Sequence, residues 1–119
     1  MNASDIIIIK HLQRKVFSRE LGDLKRKNQC HKGSKLANLL PFLDDQQIIR
    51  VGGRLEQSSL QFDAKHQIVL PKSEHLVKLM VQGLHTQHLH AGPQALLAIT
   101  RQRLWPLHGK QLTKEIVQQ

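Results

Sequence analysis

The sequence predicts an α+β fold that is mainly α, with an N-terminal helix, short β-strands and three C-terminal helices. Three observations predict it. Apolar residues near the N-terminus recur at helical spacing. Two short apolar runs in the middle of the chain are bounded by glycine or proline, as strands are. Beyond residue 72, three further apolar stripes follow at helical spacing. The 119 residues are enough for one domain at most.

Residues 5–28 predict the first helix, and Gly22 is the point where it could break. Ser4 or Asp5 is a suitable N-cap. The isoleucine run at 6–9 would suit a strand equally well, so the start of the helix stays open. The apolar positions expected on its buried face are Ile8, Leu12, Val16, Phe17, Leu21 and Leu24.

Residues 25–35, "KRKNQCHKGSK", contain five Lys or Arg residues and no acid. This pattern fits either a solvated basic loop or a patch that contacts phosphates through Lys25, Arg26, Lys27 and Lys32. Cys30 and His31 are adjacent, whereas zinc-knuckle ligands are spaced apart, so an ordinary loop thiol is the simpler interpretation.

Two short strands are predicted in the middle of the chain. The first is "IIRVGGRL", in which Gly52 and Gly53 permit a bend or a close backbone approach. The second is "HQIVLP", residues 66–71, which Pro71 ends. The Gly52-Gly53 pair alone is not a phosphate-binding loop, because it lacks the glycine spacing and the following Lys-Ser/Thr.

Three helices are predicted after the strands. The first has Ser73 as N-cap and a stripe of Leu76, Val77, Met80, Val81 and Leu84. The second begins at Gly92 and Pro93 and ends at Pro106, with Leu96, Leu97, Ile99 or Thr100, and Leu104 facing inward. The third starts near Gly109 and buries Leu112, Ile116 and Val117. The expected segments are 1–40 (helix and basic loop), 41–72 (strands) and 73–119 (three helices).

The net charge of +9 and the pI of about 10.2 favour an anionic partner, with nucleic acid first and anionic lipid second. In the C-terminal half, Arg101, Arg103, Lys110 and Lys114 are candidate phosphate contacts, and a solvated basic face is the alternative. Trp105 is expected to anchor the core at a helix end. One cysteine excludes an internal disulfide and favours a reducing compartment.

Neither a secretory signal nor a membrane-spanning stretch is predicted from the sequence. An intracellular protein of the nucleus or cytoplasm, without a membrane partner, is therefore expected. The nine acids are scattered and no nucleophile motif is present, so we expect no enzymatic activity.

The stretch "LHTQHLHAG", residues 84–92, holds three histidines. His85 and His90 are separated by four residues, and a helix end followed by a loop could turn both rings toward one point. Zinc in a structural site normally takes four protein ligands, so two histidines are half a site. From the residues alone, surface or hydrogen-bonded histidines remain the alternative.

Two blocks of the chain resemble polyproteins of BEL/Pao-type retrotransposons, in and just before the integrase. They are "KLANLLPFLDDQQIIRVGGRL" and "KHQIVLPKSEHLVKLMVQGLHTQHLHAGPQALLAITRQRLWPLHGK", and the upstream "LQRKVFSREL" is also similar. The likeness covers nearly the whole chain and is specific in combination. Gln67 departs from the proline that is usual in the second block.

This resemblance implies that the last three helices form an integrase-type zinc-binding domain of the His-His-Cys-Cys kind. His85 and His90 match its histidines, and its Cys-x-x-Cys pair would follow the third helix, about where Gln119 ends this sequence. Zinc is thus implied for the parent domain and could be absent here, because two imidazoles bind it more weakly than a full set of ligands.

The implied role is accessory to DNA integration, through non-specific DNA binding and through contacts with copies of itself or other integrase domains. The alternatives are a protein-interaction or oligomerisation module, and a transposon relic without DNA-binding activity.

Overall fold

The computed structural model describes residues 3–52, 62–72, 75–88 and 92–118. Within these residues the chain is mainly helical with one small sheet, which confirms the α+β expectation. The helices are α1 (Ala3–Val16), α2 (Ser18–Lys27), α3 (Phe62–Lys65), α4 (His75–Gln87), α5 (Pro93–Thr100) and α6 (Gly109–Val117), with a 3-10 turn at Ala37–Leu39. The strands are β1 (Phe42–Leu43), β2 (Ile49–Arg50), β3 (Ile68–Leu70) and β4 (Leu104–Pro106).

The four strands lie side by side in the order β1-β2-β3-β4. The first three are antiparallel neighbours, with Phe42 opposite Arg50 and Arg50 opposite Ile68. β4 is parallel to β3 and pairs Ile68 with Leu104. Since parallel strands need a long crossover connection, α4 and α5 serve as that connection.

Apolar side chains cover both faces of the sheet, because alternate residues of a strand point to opposite sides. Ile68 and Leu70 belong to a first cluster, while Val69 between them belongs to a second. The first cluster joins the sheet to helices α1, α4, α5 and α6 through residues such as Ile9, Leu12, Val77, Val81, Leu96, Leu112 and Ile116. The second joins it to α2 through Leu21 and Leu24, and it also contains Phe17 before the helix and Leu36 after it. Described residues from all three expected segments, 1–40, 41–72 and 73–119, thus meet in the first cluster.

The N-terminal helix breaks at Phe17, and the expectation of a break at Gly22 was wrong. Phe17 has φ −112° and ψ 33°, whereas Gly22 lies inside α2. The break has a packing reason: α1 buries Ile9 in the first cluster, and Phe17 begins the second. The chain therefore changes direction where it passes from one face of the sheet to the other.

Two details of α1 also differ from expectation. The helix begins at Ala3, so Ser4 and Asp5 lie in its first turn and neither is the N-cap. Val16, which was expected on the buried face, is 42% exposed. It is the last residue of α1, and because the chain turns at Phe17, the buried stripe of the helix does not continue through Val16. Ile9 takes the buried position, and Ile8 is packed only partly against the first cluster.

Gln13 connects α1 to the sheet through its side-chain amide. Nε2 donates to Ile49 O at 3.1 Å and to Val69 O at 2.8 Å, and Oε1 accepts from Ile49 N at 2.9 Å. The side chain is 1% exposed. Gln13 thus supplies hydrogen bonds to main-chain groups of β2 and β3 beyond their single paired position, Arg50 with Ile68.

The second C-terminal helix ends at Thr100, and the expectation that it runs to Pro106 was wrong. Leu104–Pro106 form β4, the last strand in the sheet order, where the missing N–H of proline is tolerated. Ile68 N donates to Arg103 O at 2.9 Å just before the strand, so pairing with β3 overrides the helical spacing of the sequence. Trp105 packs against the second cluster from a strand rather than from a helix end.

The other expected elements are confirmed. β2 and β3 fall inside the two predicted runs. In α4, Val77 and Val81 are buried, and α5 begins with Pro93 after Gly92. α6 buries Leu112 and Ile116. The predicted N-cap Ser73 and the second glycine, Gly53, lie outside the described residues.

Candidate nucleic-acid interface

His85 lies in the last turn of α4 and is half-buried. Its expected partner, His90, lies outside the described residues, so their convergence stays a prediction. His88, in the same stretch, is exposed, and its Nδ1 lies 2.9 Å from the carbonyl oxygen of Leu84.

Other metal ligands do not gather around a common point in the described part of the chain. No group of three His, Cys, Asp or Glu residues there is placed to hold a metal ion. Cys30 is half-buried and packs against the second cluster, which also contains Leu24 and Leu36. The described residues therefore do not provide a complete set of zinc ligands.

Lys25, Arg26 and Lys27 form the last turn of α2. Asn28 follows in the left-handed conformation (φ 60°) and ends the helix. All three basic side chains are exposed, and their charges interact favourably with the carbonyl end of the helix dipole. Arg26 has fewer donors available for a phosphate, because its guanidinium donates to Asp23 at 3.1 Å and to Gly22 O at 3.3 Å.

Lys32 is exposed in the loop that Asp23 holds against α2. Asp23 is 5% exposed and accepts hydrogen bonds from the main chain of His31 at 3.1 Å and from its Nδ1 at 2.9 Å. The hydrogen bond from the His31 side chain lowers the pKa of Asp23 below the ordinary 3.8, although burial opposes this. The predicted basic loop is thus anchored at His31, with Lys32 directed to solvent.

Arg101 and Arg103 lie in the turn between α5 and β4. The guanidinium of Arg101 is 4.4 Å from the centroid of the Trp105 ring, a cation–π distance. This stacking occupies one face of the guanidinium and leaves Arg101 half-buried, while Arg103 is exposed. Of the two predicted phosphate contacts, Arg103 is the more accessible.

Lys110 and Lys114 lie one turn apart on α6 and are both exposed. Side chains at this spacing share a helix face, so the two ammonium groups can reach the same anion or two adjacent ones. The adjacent acid, Glu115, forms an ion pair with Lys78 of α4, with Oε2 and Nζ 3.7 Å apart.

A cleft that sequence reasoning missed lies between α1, α2 and the β1–β2 turn. We call it the N-terminal cleft; its volume is about 270 Å³, and its lining residues are Lys10, Gln13, Arg14, Leu21, Lys25, Gln46 and Gln47. Three of these are cations and none is an acid. The spacing of Lys10 and Arg14 would have placed them on one helix face, but their approach to Lys25 depends on the turn at Phe17.

A second cleft, of about 310 Å³, lies near the beginnings of α4 and α6. The charged or titratable residues that line it are Lys72, His75, Lys78, His108 and Glu115. It is therefore of mixed sign, and Glu115 already pairs with Lys78.

No helix in the described ranges combines the length and the apolar character that crossing a membrane requires. Comparisons of the chain with protein-family models, with curated proteins and with solved structures found no match.

Proposed function

We propose that this chain is a non-catalytic accessory module of DNA integration, of the retroelement integrase zinc-binding type, which binds DNA through its phosphates. The observation that carries the proposal is a set of six exposed basic side chains that form no ion pair among the described residues: Lys25, Lys27, Lys32, Arg103, Lys110 and Lys114. Exposed cations of this kind supply the sequence-independent part of DNA affinity.

The distribution of the acids supports the same proposal. Asp44 and Asp63 both pair with Arg50, and Asp23 pairs with Arg26 and His31. These carboxylates are held by fixed partners inside the fold or at its surface. The charges of these three acids are therefore compensated by partners within the fold, and the excess that gives the net charge of +9 lies on the remaining lysines and arginines.

The helical arrangement supports the integrase-type part of the proposal. α4, α5 and α6 pack on one another, and they follow the order that the resemblance implies. His85, with His90, would be the imidazole half of the zinc site in the parent domain, whose other two ligands are thiolates. Zinc would supply only structural stabilisation there.

The test of DNA binding is a titration of a short labelled duplex at low and at high salt. We expect measurable affinity at low salt that falls steeply as salt rises, because each neutralised phosphate releases counterions. The double variant Lys110→Gln/Lys114→Gln is expected to weaken binding uniformly across DNA sequences and to reduce the salt slope by about one per lost phosphate contact.

The matched control removes two charges elsewhere, with Arg19→Gln/Lys35→Gln. Both residues are exposed and neither is among the proposed contacts. If the wild type has no affinity for DNA at low salt, the proposal is wrong. If the control loses as much affinity as the α6 variant, Lys110 and Lys114 are not specific phosphate contacts, and the overall charge alone determines the affinity for DNA.

The zinc part has its own readout. Added Zn²⁺ is expected to raise the thermal midpoint of the wild type modestly and to leave that of His85→Ala unchanged, because only ligand-bound metal stabilises the fold. An equal rise in both proteins would remove His85 as a ligand.

A second candidate function is self-association, and two exposed apolar side chains favour it. Ile7 on α1 is 66% exposed and Leu79 on α4 is 48% exposed. Sedimentation at several protein concentrations, with and without DNA, separates the two functions. Concentration-dependent dimers without DNA affinity would support the interaction module, provided that Ile7→Gln or Leu79→Gln abolishes them.

A further inference from the structure

The N-terminal cleft combines three cations from two helices with a buried Gln13 that is hydrogen-bonded to the sheet. Lys10 and Arg14 come from α1, and Lys25 comes from α2. Gln13 lies between the first two along the chain and is locked by its hydrogen bonds to Ile49 and Val69. These bonds hold the backbone of α1 at Lys10 and Arg14 in place against the sheet.

The guanidinium of Arg14 makes one hydrogen bond to its own helix. Its Nε donates to the carbonyl oxygen of Lys10 at 3.3 Å, which holds the guanidinium along the helix surface. No other bond engages this guanidinium among the described residues, so its terminal N–H groups are free to donate. A planar guanidinium with such donors suits the paired oxygens of a phosphate.

The opposite wall of the cleft is polar but carries no charge. Gln46 and Gln47 line it from the turn between β1 and β2. Asp44 in the same turn is directed inward, where its carboxylate accepts from Arg50 Nε at 2.7 Å. Asp45, which immediately precedes Gln46, does not line the cleft.

A second recess continues from the first and shares Lys25 and Gln47 with it. Its volume is about 400 Å³, and Asn28, Phe42 and Leu43 contribute to its lining. The two recesses together form a groove along α2, and a linear polyanion could follow this groove past Lys25.

We propose that the N-terminal cleft seats a phosphate of a nucleic-acid backbone between Lys10, Arg14 and Lys25. This inference rests on the proposed function for the identity of the polyanion, and it adds Lys10 and Arg14, which lie outside the set of six side chains above. A recessed site lined by three cations and no acid favours a single projecting phosphate. The continuation of the groove favours a strand over a free ion.

The experiment compares Lys10→Gln/Arg14→Gln with Arg19→Gln/Lys35→Gln in binding to a short labelled DNA duplex at low salt. Both variants lose two positive charges, so a general field effect is the same in each. We expect the cleft variant to lose about tenfold in affinity relative to the control and to lower the salt slope by one to two, as lost phosphate contacts do (roughly one each).

A measurement on the wild-type protein keeps the inference independent of variant folding. In a ¹⁵N NMR titration with the same duplex, the amides of Leu21, Gln46 and Gln47 are expected to shift in a saturable way. DNA binding without these shifts, or with equal affinities of the two variants, would overturn the inference and leave the proposed function intact. Absence of any DNA binding would overturn both.

Anionic lipid is the competing partner, and vesicles of phosphatidylserine and phosphatidylcholine probe it directly. If the cleft variant loses vesicle binding while its DNA affinity equals that of the control, the site recognises a membrane surface and the nucleic-acid inference is wrong.

Discussion

Arg50 and Asp44 form an ion pair at the centre of the β1–β2 hairpin, with Nε and Oδ2 2.7 Å apart and side chains 10% and 7% exposed. The guanidinium also donates to Asp63 Oδ1 at 3.1 Å and to His66 O at 2.9 Å. Asp44 in turn accepts from Gln46 N and Ile48 N, so it fixes the turn as well as the arginine. A single charged network therefore connects the hairpin to α3 and to the start of β3.

Arg50→Met is expected to destabilise the fold by about 3–5 kcal/mol, because it leaves the enclosed carboxylate of Asp44 without its counter-charge. Urea unfolding measures the loss. The double variant Asp44→Asn/Arg50→Met is expected to recover part of it, since the buried charge is then removed. A double variant that is as unstable as the sum of both single variants would contradict this account.

Gln13→Leu is expected to cost about 2–4 kcal/mol in the free energy of unfolding. The substitution keeps the apolar contacts of α1 but leaves the main-chain groups of Ile49 and Val69 unsatisfied in the core. Gln94→Leu, at an exposed position of α5, is the matched control and should change stability by less than about 0.5 kcal/mol. Equal stability of the two variants would show that Gln13 does not hold α1 to the sheet.

Gly52→Ala and Gly22→Ala are expected to have opposite effects. A Cβ at Gly52 would clash with the carbonyl oxygen of Leu40, and the backbone there would have to shift. The expected cost is about 2 kcal/mol or more. At Gly22, inside α2, nothing lies within 4 Å, so alanine should stabilise the helix by about 0.5–1 kcal/mol. Thermal unfolding of the two variants, compared with the wild type, decides both signs.

The stability of the loop that carries Lys32 is expected to fall in acid because of Asp23. Its pKa is lowered in the folded state by the hydrogen bond from His31, so the ionised carboxylate favours folding. This contribution is fully present above the ordinary value of 3.8 and is lost as the pH falls through the lowered pKa.

The corresponding measurement is urea unfolding of wild type and Asp23→Asn across this acidic range. The difference in stability between them should shrink as the pH falls; Asp45→Asn, which removes a carboxylate at an exposed position, is the control for the loss of one negative charge. A difference that stays constant with pH would mean that the Asp23–His31 contact does not couple to folding.

The three helices α4, α5 and α6 were largely predictable, because each has an apolar stripe at helical spacing, and Pro93 also marks the start of α5. β2 and β3 were also predictable from local signals, because each lies in a short apolar run that glycine or proline ends. The strand at Leu104–Pro106 was not, since only its pairing with Ile68–Leu70 makes it extended. The break at Phe17 was hidden likewise, because it follows from the two faces of a sheet that lies further along the chain.

The candidate site likewise contains residues that local sequence signals reveal and residues that only the tertiary packing brings together. Exposed lysines such as Lys110 and Lys114 can be found from charge and helical spacing alone. The grouping of Lys10 and Arg14 with Lys25 depends on how α1 and α2 meet, and Gln13, which fixes that meeting, has no local signal that distinguishes it from other glutamines. Tertiary packing, and not composition, therefore separates a recessed anion site from an ordinary basic surface.

The parallel pairing of β3 with β4 sets a practical limit on how this polypeptide can be divided. A recombinant piece beginning at residue 73 would carry Leu104–Pro106 without the neighbour that Ile68–Leu70 provides. Its unpaired main chain would invite edge-to-edge aggregation between molecules. Truncations made to map binding should therefore keep residues 3–72 attached, because insolubility of the shorter piece would be mistaken for loss of affinity.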